Sequence, residues 1–257
     1  MAMAKRRHAC RVGGVEHRAV GQHQAHIAQG AIAVLRGTTA HARGVVGGDA
    51  PDHAAIDRGR VGANLAAIRR QELIGASADH PRLQADATAL LQHSSVGVGT
   101  VIGFPHGSNN PAVKAAEAER ACDDGATELD MVVNVGQVLE GAWQSVQEDI
   151  AVVCQVARQR GVLLKVIFET DFVTADEDKV RLCQVCTDVG VDFVKTSTGF
   201  GYTRREEGGY AYRGATEHDV QLMAESVGPS VQVKASGGIR SYQDALRMVE
   251  LGASRLG

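Results

Sequence analysis

From residue 96 onward the chain alternates two rhythms. Short runs place apolar side chains at every second position, and longer stretches place them every three or four. The short runs, at 96–104, 127–135, 162–170, 192–198 and 231–236, are predicted strands, and the stretches between them are predicted helices. Strands taking turns with helices build a parallel sheet, because two parallel neighbours can be joined only by a crossover. The punctuation agrees with this phase. Pro111 suits a first helical turn, Gly125, Gly161 and Gly190 suit helix ends, and two capping boxes are expected, Thr174 with Glu177 and Ser241 with Asp244.

Within the strands the polar residues keep one phase: Glu128, Asp130 and Asn134; Lys165 and Glu169; Lys195 and Ser197; Gln232, Lys234 and Ser236. The other phase is apolar, with Leu129, Met131, Val133, Leu164, Val166, Phe168, Val231 and Val233. A period of two sends the two sets to opposite faces of the sheet. An open doubly wound sheet buries both faces under helices and would leave each charged group to be paired or hydrated. A closed (β/α)8 TIM barrel turns one face inward and gathers groups near the C-terminal strand ends at a single mouth. That α/β barrel is the expected fold.

Composition divides the chain. Residues 1–95 carry 12 Lys and Arg against 7 Asp and Glu, whereas the remainder carries 15 against 23. None of the ten aromatic residues lies before position 96, and eight of the ten histidines do. A segment without the side chains that bury most area is poorly equipped to form a core. Two patterns stand out in it, a strand at 31–35 and a helix at 81–92 with Leu83, Ala87, Leu90 and Leu91 on one face. The expected organisation is an atypical segment at 1–95 and a barrel body at 96–257. An out-of-frame or misassigned gene start and a divergent, partly disordered extension account for the first segment equally well.

Charge and cysteines narrow the function classes. A net charge of -3 gives no concentrated basic face for nucleic acid. No apolar run is long enough to span a membrane, and the basic start MAMAKRRHAC lacks the apolar stretch of a secretory signal. A cytoplasmic protein with a small-molecule partner is expected. Cys183 and Cys186 have a CxxC spacing, yet without a second pair or a nearby histidine they read as helix packing. His106 and His218 stand far apart with no ligand-like spacing, so no metal is expected.

The chemistry centres on two lysines on consecutive strands, Lys195 in DFVKTSTGFG and Lys234 in VQVKASGGIR. An inward amine beside a second ammonium, partly desolvated, loses affinity for its proton and can act as a nucleophile near neutral pH. On spacing alone it is as good a reading that each lysine pairs with an inward carboxylate, Asp130, Glu169 or Glu128. Gly199, Gly237 and Gly238 follow these strands, where backbone amides can approach a phosphate; any one alone would be an ordinary turn glycine.

The stretches GTVIGFPHGSN, TELDMVVNVG, LLKVIFET, DFVKTSTGFG and VKASGGIR, in this order, resemble the hallmark motifs of the deoxyribose-phosphate aldolases. The resemblance covers residues 96–257. It implies a metal-free class I aldolase that cleaves 2-deoxy-D-ribose 5-phosphate reversibly to acetaldehyde and D-glyceraldehyde 3-phosphate through a lysine Schiff base. By the same resemblance Lys195 forms the imine, Lys234 is the neighbouring cation and Asp130 helps to move protons through water. Gly199, Gly237 and Gly238, with Ser254 in GASRLG, would bind the phosphate. Lys165 and Glu169 either line the site or pair with each other. A homodimer is compatible with this reading.

Departures from the pattern lie at the ends. The family's first strand, with its Asp-His-Thr and Leu-Leu-Lys-Pro signature, has no counterpart in residues 1–95, and no second strand is found there. The sequence closes at Gly257, within what should be strand eight. The barrel is therefore expected to be incomplete or aberrant at its N-terminal strands and at strand eight, leaving the edges of strands three and eight open. Two alternatives to an active aldolase follow: an impaired or non-folding family member, and a phosphosugar-binding barrel without turnover. A transaldolase or keto-acid aldolase fits the KTSTGFG and KASGGIR pair less well.

Overall fold

The two-residue period becomes two faces of one sheet. In the computed structural model, which describes residues 73–74, 81–93 and 96–257, seven strands run parallel in the order β1-β2-β3-β4-β5-β8-β9. They are β1 (Leu73–Ile74), β2 (Val98–Ile102), β3 (Glu128–Val132), β4 (Leu163–Ile167), β5 (Phe193–Lys195), β8 (Gln232–Ala235) and β9 (Ala253–Leu256). A two-stranded antiparallel hairpin, β6 (Thr203–Arg204) and β7 (Tyr210–Ala211), interrupts the series. The helices are α1 (Pro81–Leu91), α2 (Pro111–Asp123), α3 (Val135–Leu139), α4 (Trp143–Arg160), α5 (Asp176–Val189), α6 (Glu217–Ser226) and α7 (Tyr242–Glu250). This is the strand and helix order of a (β/α)8 barrel, and among the described residues no pairing joins β9 back to β1.

The apolar phase packs under the helices. Leu129, Met131, Val133, Leu164, Val166 and Phe168 are fully buried in one cluster with Ile150 and Val153 of α4 and with Leu182 and Cys186 of α5. Burying a residue of that size removes roughly 1.5–3 kcal/mol of unfavourable hydration per side chain, so this layer is the main stabiliser of the body. Cys154, Cys183 and Cys186 are buried free thiols in it, and burial pushes Cys183 up to about 12. A thiol held protonated among apolar neighbours is an inert packing group. That matches the helix-packing reading.

Several local expectations are corrected. Asn134 does not sit in a strand; its side chain caps α3 by accepting from the Gln137 amide. Gln232 keeps the inward phase but opens β8 and is exposed. Helix α5 starts after Ala175 without a side-chain cap, so the Thr174 and Glu177 box is not formed; Asp176, Glu177 and Asp178 meet the positive end of the helix dipole instead. The Ser241 and Asp244 box is present, as are Pro111 behind an Asn110 cap and left-handed glycines at 161 and 190. Helix α1 forms where predicted, with Ala87 buried but Leu90 exposed. The strand predicted at 31–35 lies outside the described residues.

Among the described residues the barrel is open and irregular at its ends, as expected, though a strand forms at each. Leu73 and Ile74 pair with Val98 and Gly99, so a short strand does occupy the second position and covers part of the strand-three edge. Strand eight forms as β9 beside β8, with a register shift that pairs Val233 with Ala253 but Lys234 with Arg255. Ser254 is the extra residue. Such a bulge turns the following side chain onto the other face, which is how Arg255 comes to point into the barrel.

At Gly107 the chain allows no side chain. Its φ is 67°, and a Cβ there would lie 1.9 Å from the Val133 carbonyl oxygen. Gly107→Ala is expected to cost roughly 3 kcal/mol or more, combining left-handed strain with a backbone clash. Thermal melting checks this: a midpoint within about 2 °C of the parent would mean that the turn relaxes freely.

Candidate active site

The inward face holds one continuous charged cluster. Asp130 on β3 accepts from Lys165 Nζ through Oδ1 at 2.8 Å, and through Oδ2 from Lys195 Nζ at 2.7 Å and Lys234 Nζ at 3.2 Å. Lys165 also reaches Glu128 at 2.6 Å, and Glu128 accepts from Arg255 Nη1 at 2.5 Å. Register explains the convergence: Asp130 and Lys165 are level neighbours, while Lys195 and Lys234 are level neighbours one step nearer the C-terminal mouth. All three lysines are at most 4% exposed.

Burial sets the electrostatics of this cluster. Taking Lys195 out of water disfavours its charged form, Asp130 opposes that, and the Lys234 and Lys165 ammonium groups reinforce it. The outcome is an amine titrating at about 8 in place of 10.5. Lys234 is lowered too, mainly by burial. Burial alone would raise Asp130, but the charges of Lys195, Lys234 and Lys165 outweigh it and hold the carboxyl well below its ordinary range. Asp130 is therefore an anion that anchors three amines, and Lys195, the last residue of β5, has a free-amine fraction near neutral pH.

Glu169 does not pair with Lys165. The strand ends at Ile167, and Glu169 adopts a φ of 57°, which a residue other than glycine holds only when its surroundings demand it. Its Oε2 accepts from the Thr198 amide at 3.3 Å and from the Thr198 hydroxyl, while Oε1 is buried without a hydrogen-bond partner among the described residues. Burial raises its pKa, against the two bonds from Thr198. Thr196 and Ser236 stitch β5 to β8 at the same level, Thr196 Oγ1 donating to the Ser236 carbonyl at 2.9 Å and accepting from its amide at 3.0 Å.

The glycines expected at the phosphate end follow the C-terminal ends of β5 and β8, each with positive φ. Gly237 donates its amide to the Gly257 carbonyl at 2.9 Å, whereas among the described residues the amides of Gly199 and Gly238 have no protein acceptor. Ser254 is not brought to them. It lies at the lower end of β9, its hydroxyl 3.5 Å from the Val233 carbonyl. A cavity of about 450 Å³ flanks Gly238 between α6 and α7, lined in part by Ala215, Glu217, Asp244 and Arg247, and none of the clustered lysines borders it. It lies outside the amine cluster.

Arg255 is a site residue that the period of two could not reveal, since the bulge reverses its face; its guanidinium also stacks 4.9 Å over the Phe193 ring. His218, which stood alone in the sequence, lies 2.7 Å from Asp176 and close to Asp219. The Lys179 ammonium already serves both carboxylates, at 3.1 and 2.6 Å, so these acids act as an ion-pair set linking α5 and α6.

Known proteins share this body. The family model of DeoC/LacD family aldolases matches residues 62–257, reaching back beyond the start of the motif region. The deoxyribose-phosphate aldolase of Thermococcus kodakarensis is 48% identical over 166 residues, 65% of this chain and 69% of that protein. That of Carboxydothermus hydrogenoformans is 48% identical over 173 residues, 66% and 71% of the two chains. Among solved structures, an aldolase named QR15 superposes with a TM-score of 0.62 at 31% identity, covering 80% of this chain and 88% of its own. The tetrameric deoxyribose-phosphate aldolase of Aeropyrum pernix gives 0.62 at 27%, covering 79% and 94%. With its parallel barrel and buried amine cluster, the chain belongs to the DeoC/LacD family of aldolases.

Proposed function

We propose that the chain cleaves 2-deoxy-D-ribose 5-phosphate reversibly to acetaldehyde and D-glyceraldehyde 3-phosphate, with Lys195 as the imine-forming nucleophile. The observation that carries this is a buried amine at about 8 sharing one carboxylate oxygen with a second amine, at the C-terminal mouth of the barrel. At pH 7 roughly a tenth of such an amine is unprotonated, against fewer than about one in a thousand at an ordinary lysine value. The neutral amine adds to the C1 aldehyde, the carbinolamine takes up a proton and loses water, and a protonated imine remains. Loss of the C3 hydroxyl proton then breaks the C2–C3 bond, and the electron pair passes into the imine to give an enamine. Protonation at C2 and hydrolysis release acetaldehyde and restore the amine.

Asp130 fits the proton transfers because it stays anionic beside the reacting nitrogen, and Lys234 fits the role of the charge that keeps Lys195 from holding its proton. We assign the phosphate to the Gly199 and Gly238 amides, with Gly237 supporting the turn that carries the second of them. Lys165 supports the site from below by fixing the other oxygen of Asp130. No metal or cofactor has a role in this scheme. No helix of the described residues is long and apolar enough to cross a membrane. The free thiols suit a reducing compartment, so we place the protein in the cytoplasm.

Borohydride added with acetaldehyde should fix an ethyl group on Lys195, because reduction of the imine leaves a stable secondary amine. Peptide mapping of the folded protein reads the position. Labelling at another lysine, or none, would remove Lys195 from the mechanism.

A further inference from the structure

The connection from β5 to α6 runs through residues 196–216 and carries the hairpin of β6 and β7. Connections of this length that hold their own structure at a barrel mouth are commonly functional. Both of its feet are gripped from one turn after β4. Glu169 accepts from the Thr198 amide and hydroxyl at the first foot. Asp171, two residues on, accepts from the Arg213 amide at 2.5 Å and the Gly214 amide at 3.0 Å at the second.

Each foot touches the phosphate end. Thr198 precedes Gly199 and accepts from the Phe200 amide at 2.9 Å. Gly201 packs against Glu169 so closely that a Cβ there would lie 2.7 Å from its free Oε1. At the other foot a Cβ on Gly214 would lie 2.5 Å from the Gly237 backbone, and the Ala215 amide donates to the Gly237 carbonyl at 3.0 Å. The ring of Tyr212 borders Gly237 and meets Tyr202 edge to face at 5.5 Å. Displacing either foot therefore displaces a glycine turn that faces the substrate.

We propose that Glu169 and Asp171 are positioning residues, a two-footed clamp that holds the 198–214 connection so that the Gly199 and Gly237–Gly238 turns together accept the substrate's phosphate. The inference rests on the reaction assigned above. Neither carboxylate needs to touch the substrate. Charge-assisted bonds to backbone amides fix the loop more firmly than neutral ones, and small displacements at a phosphate site weaken binding without altering the amine chemistry below it.

Asp171→Asn tests the clamp, since one of its two oxygens becomes an amide nitrogen that meets a backbone N–H. Steady-state kinetics would be compared on 2-deoxyribose 5-phosphate and on unphosphorylated 2-deoxyribose. KM for the phosphorylated substrate should rise about tenfold with kcat within about threefold, while kcat/KM for 2-deoxyribose stays unchanged. Asp171→Ala should do the same and also speed amide exchange at 211–216, the foot it holds. Equal losses on both substrates, or no loss on either, with Lys195 still labelled by borohydride and acetaldehyde, would overturn the clamp alone. Failure of the parent chain to label at Lys195 would overturn the reaction and the clamp's role with it.

Discussion

Lys195→Met is expected to lower kcat for 2-deoxyribose 5-phosphate cleavage by at least about a thousandfold and, in the same protein, to raise stability at pH 7. The first effect follows from losing the amine proposed to form the imine. The second follows from linkage. Lys195 titrates at about 8 in the folded chain and near 10.5 when unfolded, so the unfolded chain binds the extra proton in between. The stability tied to this group is present above 10.5 and is lost as pH falls through about 8, which means that its cost is complete at neutral pH. Methionine has a similar length and no charge to desolvate, and Asp130 keeps Lys165 and Lys234 as partners. Denaturant melts at pH 7 and pH 9.5 check the sign. The gain should be larger at pH 7, and a variant less stable than the parent at pH 7 would show that the Lys195–Asp130 pair outweighs its desolvation.

Glu128, Asp130, Lys165, Lys195 and Lys234 were legible as one inward face because each lies inside a regular strand, where side-chain direction depends only on parity. Parity fails wherever the strand does. Asn134 and Glu169 share the inward phase, yet both lie past a strand end, and one became a helix cap and the other a loop clamp. Arg255 has the wrong parity and the right position because of a bulge that leaves no mark on the hydrophobic pattern. Ser254 is the converse, a residue selected by motif that lies second in its strand, at the lower end, and is left unpaired by the same bulge. The short strand at Leu73–Ile74 has two residues, too few for any period to show. Asp171 offered no signal, since a carboxylate that serves two amides 42 and 43 positions away is visible only once the loop has folded back.

The electrostatic role of Lys234 leads to the second large effect. Its Nζ and that of Lys195 share Asp130 Oδ2, at 3.2 and 2.7 Å, so a proton on either amine disfavours a proton on the other. Lys234→Leu removes that repulsion while leaving Lys165 to hold Asp130 from its other oxygen. The pKa of Lys195 should then rise. In the parent, kcat/KM should climb with pH through about 8 as the free amine forms, then level off. In the variant the climb should move upward by roughly one pH unit, with activity at pH 7 down about tenfold and partly restored near pH 9.5. Lys234→Arg keeps the charge and should leave the midpoint near its parent position even if the bulkier head lowers the plateau. The pair of variants separates charge from shape. A profile for Lys234→Leu that keeps its midpoint and loses only height would mean that Lys234 packs the site rather than tunes it, and that burial alone sets the proton affinity of Lys195.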